Sequence, residues 1–157
     1  MRLPRELTIH IDGAARGNPG PAAYAFVISH DGEVALEEAG RLGTATNNVA
    51  EYAALIRALE RAAELRADRL SIRSDSELLV KQMNGLYKVK NENLRGLFEQ
   101  AKRLAAKFDA VTIEHIRRQH NARADQLCND VLDGRWEETG RPPREGLPPS
   151  PSEKRRD

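Results

Sequence analysis

The sequence predicts an α/β domain, in which an antiparallel meander is followed by a helical crossover to a strand parallel to the first. Alternating apolar residues mark three successive strands, at residues 7–12, 22–29 and 34–42. The Asp31-Gly32 pair between the last two is a tight-turn signal. Apolar residues at helical spacing over 49–63 then lead to a fourth strand at 70–75, and a right-handed crossover of this kind places that strand beside the first.

The rest of the chain extends this order. We predict a short helix at 77–83, a long helix at 91–108, a fifth strand at 110–116 and a last helix at 121–132. The first strand is expected to end near Asp12, because Gly13 and the glycine-rich segment 17–20 do not favour continuation.

Composition indicates a soluble globular protein with one core. The chain has 157 residues, of which 39% are hydrophobic and 31% charged. No apolar run approaches the roughly 20 residues that span a bilayer, and the N-terminus lacks the apolar stretch of a signal peptide. The single Cys128 cannot form an internal disulfide, so we expect a cytoplasmic protein without a membrane partner. The net charge of +1 neither favours nor excludes nucleic acid.

The C-terminal segment differs in composition from the rest. Prolines and glycines punctuate it from Gly134 onward, and it ends in a charged cluster. We therefore predict a folded domain over residues 1–133 and a disordered tail over 134–157, whose first part Trp136 could tether to the domain.

Four acids are candidates for one site. Asp12 and Asp75 each end a strand on its polar parity, so they should emerge side by side at the carboxyl edge of the parallel pair, where open α/β sheets bind ligands. Glu51 and Asp125 fall near the starts of helices. Each acid alone has an ordinary explanation as a cap, a turn residue or a solvated helix acid; Asn48 and Glu51 fit a capping box, and Asn121 is the expected N-cap of the last helix.

Together the four acids indicate a metal site. Carboxylates at close range repel each other unless cations occupy the space between them. Ligand sets made only of oxygen suit Mg²⁺ or Mn²⁺ rather than zinc. Two such ions about 4 Å apart can activate water and stabilise the leaving oxygen in phosphodiester hydrolysis.

Four ordered segments resemble the signature motifs of the type 1 ribonuclease H family: residues 12–21, 46–52, 74–80 and 121–127. The resemblance extends from about Leu7 to Leu132, and its motifs match in order and spacing. It implies the ribonuclease H-like fold, a five-stranded mixed sheet of three antiparallel and two parallel strands flanked by helices. It also implies an endoribonuclease that hydrolyses the RNA strand of RNA–DNA hybrids by a two-metal-ion mechanism, leaving 5′-phosphate and 3′-hydroxyl ends.

The resemblance also assigns roles to individual residues. The implied catalytic acids, holding two Mg²⁺ ions that Mn²⁺ can replace, are Asp12, Glu51, Asp75 and Asp125. The implied substrate contacts are Asn18, Asn47 and Asn48 in the minor groove of the hybrid and Thr46 at a DNA phosphate. Turn and cap chemistry is the alternative for the three asparagines.

Three positions depart from the pattern of many family members. The basic, tryptophan-containing insertion after the third motif is missing, so Lys88 and Lys90 either contribute more to hybrid binding or are ordinary surface residues. His120 lies only five residues before Asp125, and either moves a proton or occupies a surface turn. Glu77 stands where some members have a substrate-contacting glutamine.

Two other functions compete with this interpretation. A DNA nuclease or junction resolvase would keep the fold and the metals, although Asn18, Asn47 and Asn48 suit recognition of 2′-hydroxyls. A non-catalytic hybrid-binding module would need no acids, whereas all four are present. We expect a monomer whose partner is the RNA–DNA hybrid.

Overall fold

The structure, a computed structural model, describes residues 5–136. Its elements are β1 (Glu6–Ala15), β2 (Gly20–His30), β3 (Glu33–Ala45), α1 (Asn47–Glu64), β4 (Arg69–Ser74), α2 (Glu77–Met83), α3 (Glu92–Ala105), β5 (Ala110–His115) and α4 (Ala122–Leu132). A 3₁₀ turn over Arg118–Asn121 directly precedes α4. Within residues 5–136, no helix is both long and apolar enough to cross a membrane.

The sheet confirms the predicted topology. Its strand order is β3-β2-β1-β4-β5. The first three strands pair antiparallel, and β4 runs parallel to both β1 and β5. The last residue pair between β1 and β4 joins Ile11 to Ser74, so Asp12 and Asp75 follow at the same edge of the sheet.

Helices cover both faces of the sheet with separate cores. Alternate residues of β1 and β2, including Ile9, Ile11 and Phe26, pack with α1 and α3 in the larger core. The intervening residues of β2 are mainly alanines, and their small size lets α4 pack on the opposite face through Leu127 and Val131. Trp136 is partly buried against this second core.

The first strand is longer than predicted. It continues past Asp12 to Ala15, with Gly13 opposite Tyr24 in β2. The prediction was wrong because Gly13 serves helix packing rather than strand termination. A Cβ at this position would lie 2.2 Å from the backbone carbon of Ala50 in α1, so only glycine lets the helix approach this closely.

Two helix boundaries also differ from expectation. Thr46, not Asn48, is the N-cap of α1, and its hydroxyl accepts a hydrogen bond from the Val49 N–H at 3.2 Å. The predicted capping box of Asn48 and Glu51 is therefore wrong. Helix α3 ends at Ala105 rather than Phe108, because the chain turns there so that the Asp109 N–H can bond the Asp68 carbonyl at the start of β5.

The Asp31-Gly32 turn is confirmed. Its two residues have φ values of 53° and 82° and directly join the paired residues His30 and Glu33. Two successive positive φ values are typical of the hairpin turn whose twist matches the flanking strands. The predicted tail over residues 134–157 lies mostly outside the described residues, which end at Trp136.

A buried ionic network joins β3 to α1 and was not foreseen from the sequence. Glu38 is fully buried and accepts hydrogen bonds from Arg57, Arg61 and the Tyr24 hydroxyl at 2.7–3.0 Å. The two arginines hold the pKa of Glu38 below its usual value despite the burial. Both partners of a buried ion pair are needed, since removing one leaves an uncompensated charge.

The close approach of α1 to β1 makes a direct prediction. Gly13→Ala should lower the free energy of unfolding by at least about 2 kcal/mol, because the new methyl group overlaps the Ala50 backbone. Gly96→Ala, in the exposed part of α3 with open space around it, should instead raise it by about 0.5–1 kcal/mol. Urea unfolding of both variants tests this, and equal stabilities would contradict the packing described.

Candidate active site

The structure brings the four predicted acids to one cleft at the carboxyl edge of β1 and β4. Oxygen atoms of Asp12, Glu51 and Asp75 lie within 4.8 Å of one another. Asp125, in the first turn of α4, lines the same cleft of about 440 Å³. Two strands and two helices thus supply one carboxylate each.

A backbone hydrogen bond fixes Glu51. The Gly13 N–H donates to Glu51 Oε1 at 2.8 Å, across the point where α1 touches β1. Glu51 is buried, and its carboxylate faces β1 rather than the end of its own helix. The residue is therefore not a cap, and its position depends on the absence of a side chain at Gly13.

Asn121 also departs from its predicted cap role. It occupies the N-cap position of α4, but its side chain makes no capping hydrogen bond. Instead its Nδ2 donates to the Ile11 carbonyl at 2.8 Å and to Asp75 Oδ2 at 3.4 Å. The side chain is directed into the protein toward the acids, away from the helix end.

Burial and mutual repulsion make the acids hard to ionise. Burial, followed by the charges of Asp75 and Asp125, raises the pKa of Asp12 to about 8. Burial and the charges of Asp12 and Asp75 raise the pKa of Glu51 well above its usual value. Asp12 Oδ2 is buried and has no hydrogen-bond partner among the described residues.

The donor set fits hard divalent cations. It consists of carboxylate oxygens, one of which is buried and unpaired, at separations that a shared ion could span. A cation here would offset the repulsion that raises both pKa values. Asp12, Glu51 and Asp75 could hold such an ion, with Asp125 within reach of the same cleft.

Arg118 is a cleft residue that sequence reasoning missed. It stands at the start of the 3₁₀ turn and lines the cleft, with its guanidinium 3.4 Å from Asp125 Oδ1. Its side chain is 79% exposed, so the pair is open to solvent. The adjacent arginines at 117 and 118, just before the last motif, were the available signal.

The predicted substrate contacts lie on the loops beside the acids. Asn47 lines the cleft, and its Oδ1 accepts from the Ala15 N–H at 2.8 Å. Asn18 Oδ1 accepts from the Asn47 N–H at 3.0 Å. Asn48 is exposed at the start of α1, and the Thr46 hydroxyl caps that helix. Turn and cap chemistry is thus present, and it uses the amide oxygens of Asn18 and Asn47, whose Nδ2 groups find no partner within residues 5–136.

The remaining predicted residues lie farther out. His120 is exposed in the 3₁₀ turn and is not among the residues lining the cleft. Lys88 and Lys90 are exposed between α2 and α3. Glu77 pairs with Lys81 at 2.6 Å, and this hydrogen bond lowers the pKa of Glu77.

Comparison with known proteins was made for both sequence and structure. A family model described as "Reverse transcriptase-like" matches residues 10–131. The chain is 46% identical over 125 residues to a ribonuclease HI of Halobacterium salinarum, covering 79% of this chain and 63% of that protein. It is 42% identical over 130 residues to a bifunctional protein of Mycobacterium tuberculosis, covering 82% of this chain and 36% of that one. The chain thus spans less than two thirds of the length of these relatives.

Solved structures agree with the sequence matches. The crystal structure of RNase H1 from Halobacterium salinarum superposes with a TM-score of 0.80 at 43% identity, covering 82% of this chain and 98% of that one. LC11-RNase H1 in complex with an RNA/DNA hybrid gives a TM-score of 0.77 at 41% identity, covering 82% and 97%. With the same fold, motif order and high identity across the domain, the chain belongs to the type 1 ribonuclease H family.

Proposed function

We propose that the protein is a Mg²⁺-dependent endoribonuclease that hydrolyses the RNA strand of RNA–DNA hybrids. The observation that carries this proposal is the buried acid cluster, in which three carboxylates share a space of 4.8 Å and one oxygen is unpaired. The ribonuclease HI relative supports the reaction, and the LC11-RNase H1 complex supports the substrate.

The proposal assigns the acids as ligands. Asp12, Glu51, Asp75 and Asp125 would hold two Mg²⁺ ions, or Mn²⁺ in their place. When bound, these ions would supply water activation and charge stabilisation at the leaving oxygen, giving 5′-phosphate and 3′-hydroxyl ends. The Gly13 N–H orients Glu51 for this role through its 2.8 Å hydrogen bond.

The surrounding residues are proposed to bind and orient the hybrid. The Nδ2 donors of Asn18 and Asn47, with Asn48 beside them, suit the 2′-hydroxyls and base edges of the minor groove. Thr46 would bind a phosphate of the DNA strand from the start of α1. His120 would exchange a proton with solvent or product at the mouth of the cleft. The monomeric state and cytoplasmic location remain predictions.

The central prediction concerns cleavage of an end-labelled RNA–DNA hybrid. With Mg²⁺ the protein should cut the RNA strand of the hybrid but neither single-stranded nor duplex RNA. Asp12→Asn or Asp75→Asn should abolish cleavage while leaving the fold intact, because each variant loses a carboxylate of the cluster. Circular dichroism of each variant checks the fold.

The controls separate the competing functions. Cleavage of duplex or junction DNA in preference to the hybrid would support a DNA nuclease. Tight hybrid binding without cleavage in Mg²⁺ or Mn²⁺ would support a binding module. Near-normal activity in either variant would contradict the assignment of the acids.

A second prediction concerns stability and pH without metal. The pKa of Asp12 is raised from 3.8 to about 8, so between about pH 4 and pH 8 the unfolded chain loses a proton that the folded chain keeps. The stability of the metal-free protein should therefore fall as pH rises through this window. Asp12→Asn removes the charged form and should be more stable than wild type at pH 8, by on the order of 2 kcal/mol.

Urea unfolding in EDTA at pH 5 and pH 8 measures this difference. Glu99→Gln, at an exposed acid of α3, is the matched control and should follow the wild type. Adding Mg²⁺ at pH 8 should stabilise wild type more than Asp12→Asn. A wild-type stability that does not fall relative to Asp12→Asn would refute the electrostatic account.

A third prediction concerns hybrid binding by the α2–α3 loop. Replacing both Lys88 and Lys90 with alanine should raise KM several-fold and leave kcat nearly unchanged. Each lost phosphate contact should also reduce the salt dependence of binding, by about one in the slope of log affinity against log salt. Lys107→Ala, an exposed lysine beyond α3, is the control. An unchanged salt slope would mean that the two lysines are ordinary surface residues.

A further inference from the structure

Asn121 is a buried polar residue in an otherwise exposed segment. The four residues before it, 117–120, are all exposed, whereas Asn121 itself is 1% exposed. Burying an amide is unfavourable unless hydrogen bonds replace those made with water. Its contacts therefore show what this position provides.

Both recorded contacts of the Asn121 amide nitrogen lead to catalytic-cluster elements. The Nδ2 group lies 2.8 Å from the Ile11 carbonyl and 3.4 Å from Asp75 Oδ2. Both partners are acceptors, so the amide nitrogen rather than the oxygen must face them. Ile11 immediately precedes Asp12, and the bond therefore holds the backbone from which that acid projects.

The side chain serves this contact in place of capping its own helix. An asparagine at an N-cap ordinarily accepts a bond from the helix backbone, which contributes about 1 kcal/mol. Asn121 makes no such bond. The α4 helix that begins here presents Asp125 one turn later, so a single side chain links the elements carrying Asp12, Asp75 and Asp125.

A purely structural role does not account for the whole arrangement. Asn121 Oδ1 is buried with no partner among the described residues. A buried, unpaired carbonyl oxygen destabilises the fold, typically by about 1–3 kcal/mol. An apolar side chain would avoid that loss, but it could not donate to Ile11 and Asp75.

We propose that Asn121 is a positioning residue that sets the spacing of Asp12, Asp75 and Asp125 for cation binding, through its hydrogen bonds to the Ile11 carbonyl and the Asp75 carboxylate. The inference rests on the proposed metal-dependent function of the same cleft. Residues that orient metal ligands in this way typically change metal affinity or activity by about 10- to 100-fold when replaced.

The test compares Asn121→Ala and Asn121→Asp with the wild-type chain at pH 8. Asn121→Ala removes the side-chain bonds, and Asn121→Asp keeps the shape but replaces the donor with a carboxylate oxygen. Val131→Ala is the control, because it opens a cavity in the same helix within the second core, away from the acids. Steady-state hybrid cleavage gives kcat and KM, calorimetry gives the Mn²⁺ affinity without substrate, and thermal unfolding gives stability.

We expect both Asn121 variants to lose kcat by about 10-fold or more with KM within about twofold, and Asn121→Ala to bind Mn²⁺ about 10-fold more weakly. Val131→Ala should lose stability while keeping kcat and Mn²⁺ affinity near wild type. Wild-type kcat in Asn121→Asp, unchanged Mn²⁺ affinity in Asn121→Ala, or an equal loss of both properties in Val131→Ala would overturn the inference. Absence of hybrid cleavage by the wild type would refute the proposed function instead, and the Mn²⁺ comparison would still decide the role of Asn121.

Discussion

Helix α1 lies against β1 at a distance that excludes any side chain at Gly13. The backbone of Ala50 occupies the position of the absent Cβ, and the Gly13 N–H is consequently free to reach the carboxylate of Glu51 at 2.8 Å. This contact lets a helix residue share a site with two acids from neighbouring parallel strands. Without it, the two strand ends would present Asp12 and Asp75 alone, and the cleft would lose a buried oxygen ligand.

The resulting cluster works against the stability of the metal-free fold. Packing holds the acids in place while burial and mutual repulsion raise the pKa values of Asp12 and Glu51. Elsewhere the domain is firmly tied, since two cores cover the two sheet faces and the Glu38 network fastens β3 to α1. A rigid frame of this kind keeps the carboxylates close until a cation binds, as preorganised sites require. Affinity for the ion and instability without it therefore have the same origin.

Local patterns predicted those features that depend on local chemistry. Alternating residues predicted the strands, Asp31-Gly32 predicted the hairpin, and the parity of Asp12 and Asp75 predicted their neighbouring positions. The four motifs then brought Glu51 and Asp125 into the same hypothesis, and the cleft contains all four acids.

Features that depend on distant contacts were not predictable in this way. Gly13 is a turn signal in sequence terms, and its packing role depends on where α1 crosses β1. Thr46 and Asn48 are both good caps, and nothing local distinguishes them. Asn121 resembles a cap until its bond to Ile11, 110 residues away, is known. Glu38 and Arg61 look like solvated charges, because the pairing that buries them joins separate elements.

The central claim is that repulsion among buried acids is relieved by a cation, and the most direct test counts the protons released when metal binds. Calorimetric titration of the metal-free protein with Mn²⁺, in two buffers of different ionisation enthalpy, gives that number at each pH. With the pKa of Asp12 near 8, binding at pH 7 should release about one proton or more, and the number should fall toward zero above pH 9. Binding without proton release at pH 7, or no binding at millimolar Mn²⁺, would contradict the account.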